Sequence, residues 1–137
     1  MPPELAIKID SCKLKNPVMV ASGTFGYAEE FEDFLEVKKL GAVVSKTITL
    51  KPRSGNPAPR TCETPAGMLN SIGLENPGIE VFIKEKLPNL EKINPNIIVS
   101  IAGEIPEELV EIIKCLNKTK IKAIELNLSC PNVKREK

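Results

Sequence analysis

The chain of 137 residues has no histidine and no tryptophan, and it has only one tyrosine and four phenylalanines. Without histidine, general acid–base catalysis is left to Cys, Lys, Asp, Glu and Tyr side chains. So few aromatic rings exclude a stacking platform for single-stranded nucleic acid. A dominant charge of either sign is also missing. The net charge is +1, so no long-range field attracts nucleic acid or an anionic membrane.

Long apolar runs and paired cysteines are missing as well. The first ten residues, MPPELAIKID, lack the apolar stretch of a secretory signal, and no later segment is long enough to cross a bilayer. The four cysteines form no C-x-x-C pair, so we predict no metal site. Scattered thiols are typical of a reducing compartment. We therefore expect a cytoplasmic protein that binds neither membrane nor nucleic acid.

Four short apolar runs, each followed by small or polar residues, predict buried β-strands. They cover residues 18–22, 42–46, 96–103 and 121–128. Between them, helical periodicity predicts a helix over 28–40 with one apolar face, formed by Phe31, Phe34, Leu35 and Leu40.

Two further helices are predicted between the later strands. One covers 78–87 and ends at Pro88. The other begins near Pro106, which suits a first helical turn, and has its apolar stripe at Leu109, Ile112, Ile113 and Leu116. Strands that alternate with helices in this way predict a parallel sheet with right-handed crossovers.

Two parallel architectures compete, and the sequence favours the barrel. A doubly wound sheet usually carries a glycine-rich phosphate turn, and neither G-x-G-x-x-G nor a Walker A segment is present. The polar clusters ASGT, SKT, SIAG and NLSCPN instead follow strands, where a (β/α)₈ TIM barrel places its chemistry. A whole barrel takes roughly 250 residues, so we predict one partial barrel domain over 1–137 with about the first four βα units.

Two hairpins are predicted outside the barrel strands. The runs LAIKI and CKLKNP predict an N-terminal hairpin. The segment between the second strand and its helix is rich in Pro, Gly and Asn, and it is too long for a simple βα loop. We expect this insertion to contain a hairpin of its own and to contribute to function.

Cys130 is a candidate catalytic base. It follows the fourth predicted strand in the segment NLSCPN, where a proline bends the chain and amide side chains surround the thiol. A thiol can accept a proton where its surroundings support the thiolate. Free cysteine is more commonly a small buried apolar residue, and we adopt that interpretation for Cys12, Cys62 and Cys115.

Lys46 and the segment MLNSIGLENPG (68–78) are candidate ligand-binding features. A lysine that continues a buried strand needs a partner, and a bound anion or an electron-rich ring would provide one. The segment 68–78 offers amide side chains and backbone N–H groups to a planar polar ligand. It also reads as a turn-rich loop before a helix, and its spacing leaves both interpretations open.

Four segments together resemble the dihydroorotate dehydrogenase family, in its cytosolic class 1 and most of all its NAD-linked B subclass. They are NPVMVASGTFG (16–26), SKTITLKPRSGNPAPR (45–60), GMLNSIGLENPG (67–78) and ELNLSCPNVK (125–134). The similarity extends from Leu5 to Val133. One such segment would be weak evidence, whereas four in this order at the ends of predicted strands are specific.

The resemblance implies a barrel that binds FMN at its C-terminal mouth and oxidises dihydroorotate to orotate in pyrimidine (UMP) biosynthesis. It implies that Cys130 is the catalytic base. The implied substrate-binding residues are Lys46, Asn70, Ser71, Ile72, Gly73, Leu74, Asn127 and Asn132. The implied cofactor-binding residues are Ala21, Ser22, Gly23, Lys46, Thr47, Ser100 and Asn127. Many relatives have an asparagine where this chain has Ser100.

The resemblance also implies partners. The B subclass passes electrons to NAD⁺ through a subunit that carries FAD and an iron–sulfur cluster, and the catalytic chain is expected to form a homo-oligomer. The chain resembles the N-terminal half of the family. Its active site is therefore expected to be incomplete, and this half alone inactive, unless another polypeptide supplies the remaining strands.

Two alternative functions remain open from the sequence. One is a related flavin barrel, either dihydropyrimidine dehydrogenase-like or tRNA dihydrouridine synthase-like. The loop NSIGLENPG and the lack of a basic charge balance argue against the tRNA enzyme. The other is a catalytically inactive half-barrel that associates with itself through open strand edges.

Overall fold

The computed structural model describes residues 4–31, 33–34, 36–121 and 123–130. These residues form eight strands: β1 (Ile7–Ile9), β2 (Cys12–Leu14), β3 (Met19–Val20), β4 (Ala42–Val44), β5 (Thr61–Thr64), β6 (Gly67–Asn70), β7 (Ile97–Ile101) and β8 (Ala123–Leu126). The helical segments are α1 (Ile79–Val81), a π-helical segment (Phe82–Lys86), α2 (Leu87–Ile93) and α3 (Pro106–Leu116). Of the helices in these ranges, none is both long and apolar enough to span a membrane.

The central sheet contains β3, β4, β7 and β8, in that order, and every pair is parallel. Val43 pairs with Ile97, and Ile98 pairs with Ala123. Strands that lie side by side in chain order are typical of a barrel, because a doubly wound sheet reverses its order at a switch point. The predicted parallel α/β architecture is confirmed, whereas the number of βα units stays a prediction.

Both predicted hairpins are present. β1 and β2 pair antiparallel, with Ile7 opposite Leu14. β5 and β6 pair antiparallel within the insertion that follows β4, with Thr61 opposite Asn70. Every residue of β5 and β6 is exposed, so this hairpin projects from the body of the protein.

The core lies between the sheet and the helices. Val43, Val99 and Ile101 from the strands are fully buried, as are Phe82 and Leu90 from the helical region before β7. The predicted stripe of α3 is confirmed: Ile112 and Leu116 are buried, and Leu109 and Ile113 pack against them. Pro106 occupies the first turn of α3, as its missing N–H and fixed φ favour.

The predicted helix end at Pro88 is wrong. The helical segments continue through it to Ile93. Proline cannot donate to the carbonyl four residues back, and its ring collides with that carbonyl in a regular α-helix. The π-helical segment directly before Pro88 avoids the collision, because the Leu87 N–H donates to the carbonyl of Phe82, five residues back.

The single helix predicted over 28–40 is also wrong. The described residues there form two 3₁₀ turns, Glu29–Phe31 and Val37–Lys39. Ala28 has a positive φ of 66°, which an α-helix does not allow. Phe34, assigned to the buried face, is 80% exposed, and Leu35 lies outside the described residues.

Candidate functional site

A hydrogen-bonded cluster around Thr47 joins the carboxyl ends of all four parallel strands. The Thr47 hydroxyl lies 3.1 Å from the hydroxyl of Ser22, which follows β3, and 3.0 Å from that of Ser100 in β7. Asn127, directly after β8, donates from its amide Nδ2 to Thr47 Oγ1 at 3.0 Å. Four residues predicted separately as cofactor-binding are thus brought together in one place.

Extended strand pairing holds this cluster in position. The N–H of Ile48 donates to the carbonyl of Ser100 at 2.8 Å, and the N–H of Asn127 donates to the carbonyl of Ile101 at 2.9 Å. The backbone N–H of Ser100 donates to the buried hydroxyl of Ser45 at 3.2 Å. Thr47 and Asn127 therefore continue the sheet, which fixes the direction of their side chains.

Lys46 lies next to the cluster and is half-buried. Its backbone N–H donates to the carbonyl of Gly26 at 3.1 Å, which ties the segment after β3 to the end of β4. Ala21 and Gly23, the two chain neighbours of Ser22, are exposed. A Cβ placed on Gly23 would meet no atom within 4 Å, so the backbone at the cluster's rim is open to a ligand.

Among the five predicted substrate residues, Asn70 ends β6, and 71–74 form a loop that an earlier part of the same insertion braces. The Ser71 N–H donates to the carbonyl of Arg60 at 2.7 Å, and the Asn56 N–H donates to the carbonyl of Ile72 at 3.0 Å. Gly73 is buried and has a φ of 77°. The next residue, Leu74, also has a positive φ, so the loop turns sharply back toward β4.

Asn76 is a residue that motif reasoning missed. It is buried, and it joins this loop to Thr49, two positions beyond Thr47. The motif GLENPG contains Asn76, but its bonding depends on two chain segments that meet only in the fold. A polar residue followed by Pro77 and the helix start was the signal available in the sequence.

Cys130 is half-buried and has a free thiol. It ends the described part of the segment after β8, where the Ser129 N–H donates to Asn127 Oδ1 at 3.3 Å. The chain therefore bends directly after the Thr47 cluster, with Cys130 following the bend. Asn132, the remaining predicted substrate residue, lies outside the described residues.

Tyr27 directly follows Gly26 in the chain, and its side chain packs against the hydrophobic core. Its ring centroid is 6.0 Å from that of Phe82, and the Lys86 amine lies 5.7 Å from it. Its buried hydroxyl has no hydrogen-bond partner among the described residues. Burial raises the pKa of Tyr27 to about 12, and the negative charge of Glu75 adds to the rise.

This combination of fold and site defines the class of barrel-type α/β domains, in which side chains at the carboxyl ends of parallel strands form the site. Within that class, the chain belongs to the dihydroorotate dehydrogenase family. The family model described as dihydroorotate dehydrogenase matches residues 4–137.

Curated relatives carry the name of one subclass, dihydroorotate dehydrogenase B (NAD⁺), catalytic subunit. The protein from Geotalea uraniireducens is 49% identical over 97% of this chain and 44% of its own length. Those from Thermodesulfovibrio yellowstonii and Endomicrobium trichonymphae are each 53% identical, over 95% and 99% of this chain and 43% and 45% of theirs. The chain thus spans less than half the length of the curated relatives it matches, and the predicted resemblance to the N-terminal half is confirmed.

A solved structure supports the fold. The crystal structure of a dihydroorotate dehydrogenase from Eimeria tenella, in complex with ferulenol, matches with a TM-score of 0.71 and 26% identity. The match covers 96% of this chain and 38% of that one. The sheet described above is therefore similar to part of that enzyme.

The residues of the cluster fit the polar edge of a flavin ring. They offer neutral hydroxyls and one carboxamide, and no carboxylate takes part in the cluster among the described residues. Neutral donors and acceptors of this kind match the alternating N–H and C=O groups of a flat heterocycle. Family membership supports a flavin in general.

Proposed function

We propose that this chain forms the first part of the catalytic domain of a dihydroorotate dehydrogenase, which oxidises dihydroorotate to orotate with FMN as hydride acceptor. The supporting observation is the Thr47 cluster, which gathers Ser22, Ser100 and Asn127 at the carboxyl ends of four parallel strands. Ligands of parallel α/β folds bind at that end of the strands.

In this proposal each predicted residue has a role at the mouth of the barrel. Ala21, Ser22, Gly23, Thr47, Ser100 and Asn127 would hold the flavin. Lys46 would contact both flavin and substrate, and Asn127 would do the same. The loop 70–74 and Asn132 would bind dihydroorotate through carboxamides and backbone groups.

Oxidation of dihydroorotate removes a hydride from one ring carbon and a proton from the neighbouring carbon. When bound, FMN supplies the acceptor for the hydride. The protein must remove the proton, and Cys130 is the proposed base. The positive charge of Lys46 would stabilise the substrate carboxylate and the negative charge that the hydride brings to its acceptor. Paired polar groups in the loop 70–74 would reject rings that lack the matching edges.

The names of the relatives support a partner. A protein called a catalytic subunit implies a separate subunit, and for the NAD⁺-linked type we propose one that carries FAD and an iron–sulfur cluster and passes the electrons on. A homo-oligomer and a cytoplasmic location stay predictions.

The test uses the protein expressed from its complete gene. We expect a yellow protein whose flavin, released by heating, is identified as FMN by mass spectrometry. Dihydroorotate added without oxygen should bleach the flavin absorption, and orotate should form in equal amount. A flavin that dihydrouracil reduces and dihydroorotate does not would favour the dihydropyrimidine dehydrogenase-like alternative. A colourless protein that ignores added FMN would refute the proposal.

The role of Cys130 has a matched control. Replacing Cys130 with Ala should lower kcat by about 10²–10⁴-fold, the usual contribution of a general base, and leave flavin content and orotate affinity unchanged. Cys12 lies in β2 and lines a cavity at the other end of the sheet, beside Ala42 and Ile97. A Cys12→Ala variant should keep the wild-type kcat, and equal losses in both variants would contradict the assignment.

A further inference from the structure

We propose that Asn76 is a positioning residue, which holds the substrate loop 70–74 against Thr49 in the segment that follows β4. The inference rests on the proposed function, since that function makes 70–74 a substrate loop. Asn76 itself is not placed in contact with the substrate. It would act through the backbone of Leu74 and through Thr49.

The side-chain amide of Asn76 uses every bonding position it has. Its Oδ1 accepts from the N–H of Gly78 at 2.9 Å and from the N–H of Thr49 at 3.2 Å. Its Nδ2 donates to the carbonyl of Leu74 at 2.8 Å and to the hydroxyl of Thr49 at 2.9 Å. Two backbone N–H donors fix which end of the amide is oxygen, so the donation to Leu74 is also fixed.

The backbone of Asn76 adds a second connection to the insertion. Its N–H donates to the carbonyl of Arg53 at 3.0 Å, and its carbonyl accepts from the N–H of Arg53 at 2.9 Å. Asn76 is buried, so few of these bonds can be exchanged for bonds to water. The loop is therefore attached at one residue to both Thr49 and Arg53.

The shape of the loop needs such an attachment. Leu74 has a φ of 55° and follows Gly73 at 77°. A leucine in the left-handed region is strained, and it persists only where its surroundings hold it. The amide of Asn76 holds the carbonyl of that same leucine.

The other end of the connection lies close to the proposed flavin site. Thr49 is separated from Thr47 by Ile48, whose N–H bonds to Ser100 in the sheet. Residues 47–49 thus connect the Thr47 cluster to the substrate loop. The connection therefore sets where the substrate loop lies relative to the proposed flavin site.

The substitution Asn76→Asp separates the hydrogen bonds that the side chain accepts from those that it donates. A carboxylate still accepts from Gly78 and Thr49, which preserves the helix start. It cannot donate to Leu74, and its second oxygen repels that carbonyl. In the protein from the complete gene we expect KM for dihydroorotate and Kd for orotate to rise about tenfold or more, with kcat and flavin content nearly unchanged.

Asn94→Asp is the matched control. Asn94 is equally buried, and its Nδ2 donates to the carbonyls of Val37 and Leu40 at 3.0 and 3.1 Å. It precedes β7, at the opposite end of the sheet from Thr47. We expect Asn94→Asp to lower stability while leaving KM and Kd at wild-type values.

Hydrogen exchange makes the positioning claim testable without activity. Amides of residues 70–75 should exchange about tenfold faster in Asn76→Asp, while those of α3 keep their wild-type rates. Thr49→Val keeps the bond from Asn76 to Leu74 and the bond from the residue 49 backbone N–H to Asn76 Oδ1, but it removes the hydroxyl to which Asn76 Nδ2 donates. It should raise exchange in the same direction, and it serves if Asn76→Asp fails to fold.

The outcomes separate this inference from the proposed function. A wild-type protein that does not oxidise dihydroorotate refutes the function, while exchange at 70–75 still decides whether Asn76 holds the loop. An active wild type whose Asn76→Asp variant loses stability but keeps KM, Kd and loop exchange refutes the inference. The same KM increase in Asn94→Asp refutes it as well.

Discussion

At the scale of single residues, the hydroxyl of Thr47 connects the other members of the candidate site. Thr47 is buried and lies within hydrogen-bond distance of Ser22, Ser100 and Asn127. A hydroxyl has one hydrogen to donate and two lone pairs to accept with, so Thr47 can connect these three neighbours. Ser100 is fully buried and has least access to a substitute partner in water.

Replacing Thr47 with Val should lower the free energy of unfolding by about 1–3 kcal/mol, the cost of leaving a buried polar group without its partner. The shapes of the two side chains are nearly the same, so the loss reports hydrogen bonding and not packing. Urea unfolding measures the change. Under the proposed function, the same variant should also bind FMN more weakly.

Thr119→Val provides the comparison for Thr47→Val. The hydroxyl of Thr119 donates to the carbonyl of Leu116 at the end of α3, and it precedes β8 at the amino end. That hydroxyl also accepts from the N–H of Ile121 at 3.2 Å. Losing these two half-buried hydrogen bonds in Thr119→Val should cost about 1–3 kcal/mol, and it should not affect flavin binding. Equal flavin loss in both variants would show that the Thr47 cluster is not special.

Tyr27 predicts how stability depends on pH. The pKa of a tyrosine in an unfolded chain is about 10, and burial in the fold raises the pKa of Tyr27 to about 12. Between these values the unfolded chain loses the proton while the folded protein keeps it. Stability from this group is therefore complete below about pH 10 and falls as the pH rises toward about 12.

Tyr27→Phe should remove that part of the alkaline loss. At pH 7 the variant should be as stable as the wild type or about 1 kcal/mol more stable, because the hydroxyl it removes is buried and has no hydrogen-bond partner in the described part of the chain. The chain has one tyrosine, so ultraviolet titration of tyrosinate reports on Tyr27 alone. A native titration centred near pH 10 would contradict the structure.

At this scale, the sequence named four residues that the structure brings together, but it did not reveal how they connect. Polar clusters at strand ends predicted where a site would lie, because parallel strands direct their carboxyl ends to one side. The family resemblance, and not the pattern itself, implied Ser22, Thr47, Ser100 and Asn127 as cofactor-binding residues. The connecting role of Thr47 depends on the stagger between strands, and local residue pattern does not encode it. Asn76 was missed for the same reason.

At the scale of elements, strands were predictable and helix boundaries were less so. Short apolar runs with flanking small and polar residues located all four parallel strands within a few residues. The predicted burial holds for β4 and β7, whereas β3 and β8 are partly exposed edge strands. Pro88 gave a wrong helix end because a π-helical segment accommodates it. The segment 28–40 failed because the periodicity of its apolar residues did not reveal the left-handed backbone at Ala28.

Helix α3 offers a sharp test of which face is buried. Ile112→Ala should lower the free energy of unfolding by about 2–5 kcal/mol, through lost apolar burial and the cavity left behind. Val110 in the same helix is 49% exposed, and Val110→Ala should change stability by about 0.5 kcal/mol or less. Urea unfolding of both variants gives the comparison, and equal losses would mean that the helix is rotated from its described position.

At the scale of the whole molecule, the sheet has two open edges. β8 pairs with β7 alone among the described residues, and β3 pairs with β4 alone. Apolar side chains lie exposed along both: Leu126 and Leu128 at β8, and Val18 and Met19 at β3. The alternation of strands and helices made the parallel sheet predictable from the sequence. What covers its two edges depends on contacts beyond these strands.

We expect the 137-residue chain, purified alone, to associate through these edges, because unpaired N–H and C=O groups beside apolar side chains favour pairing with a second sheet. Sedimentation velocity should show a coefficient that rises with protein concentration. Leu128 is 74% exposed, and Leu128→Lys should weaken association about tenfold, since a lysine ammonium resists burial between sheets. Met68 in the projecting hairpin is 63% exposed, and Met68→Lys should leave association unchanged. A wild-type chain that stays monomeric at every concentration would mean that the two edges are protected within the chain itself.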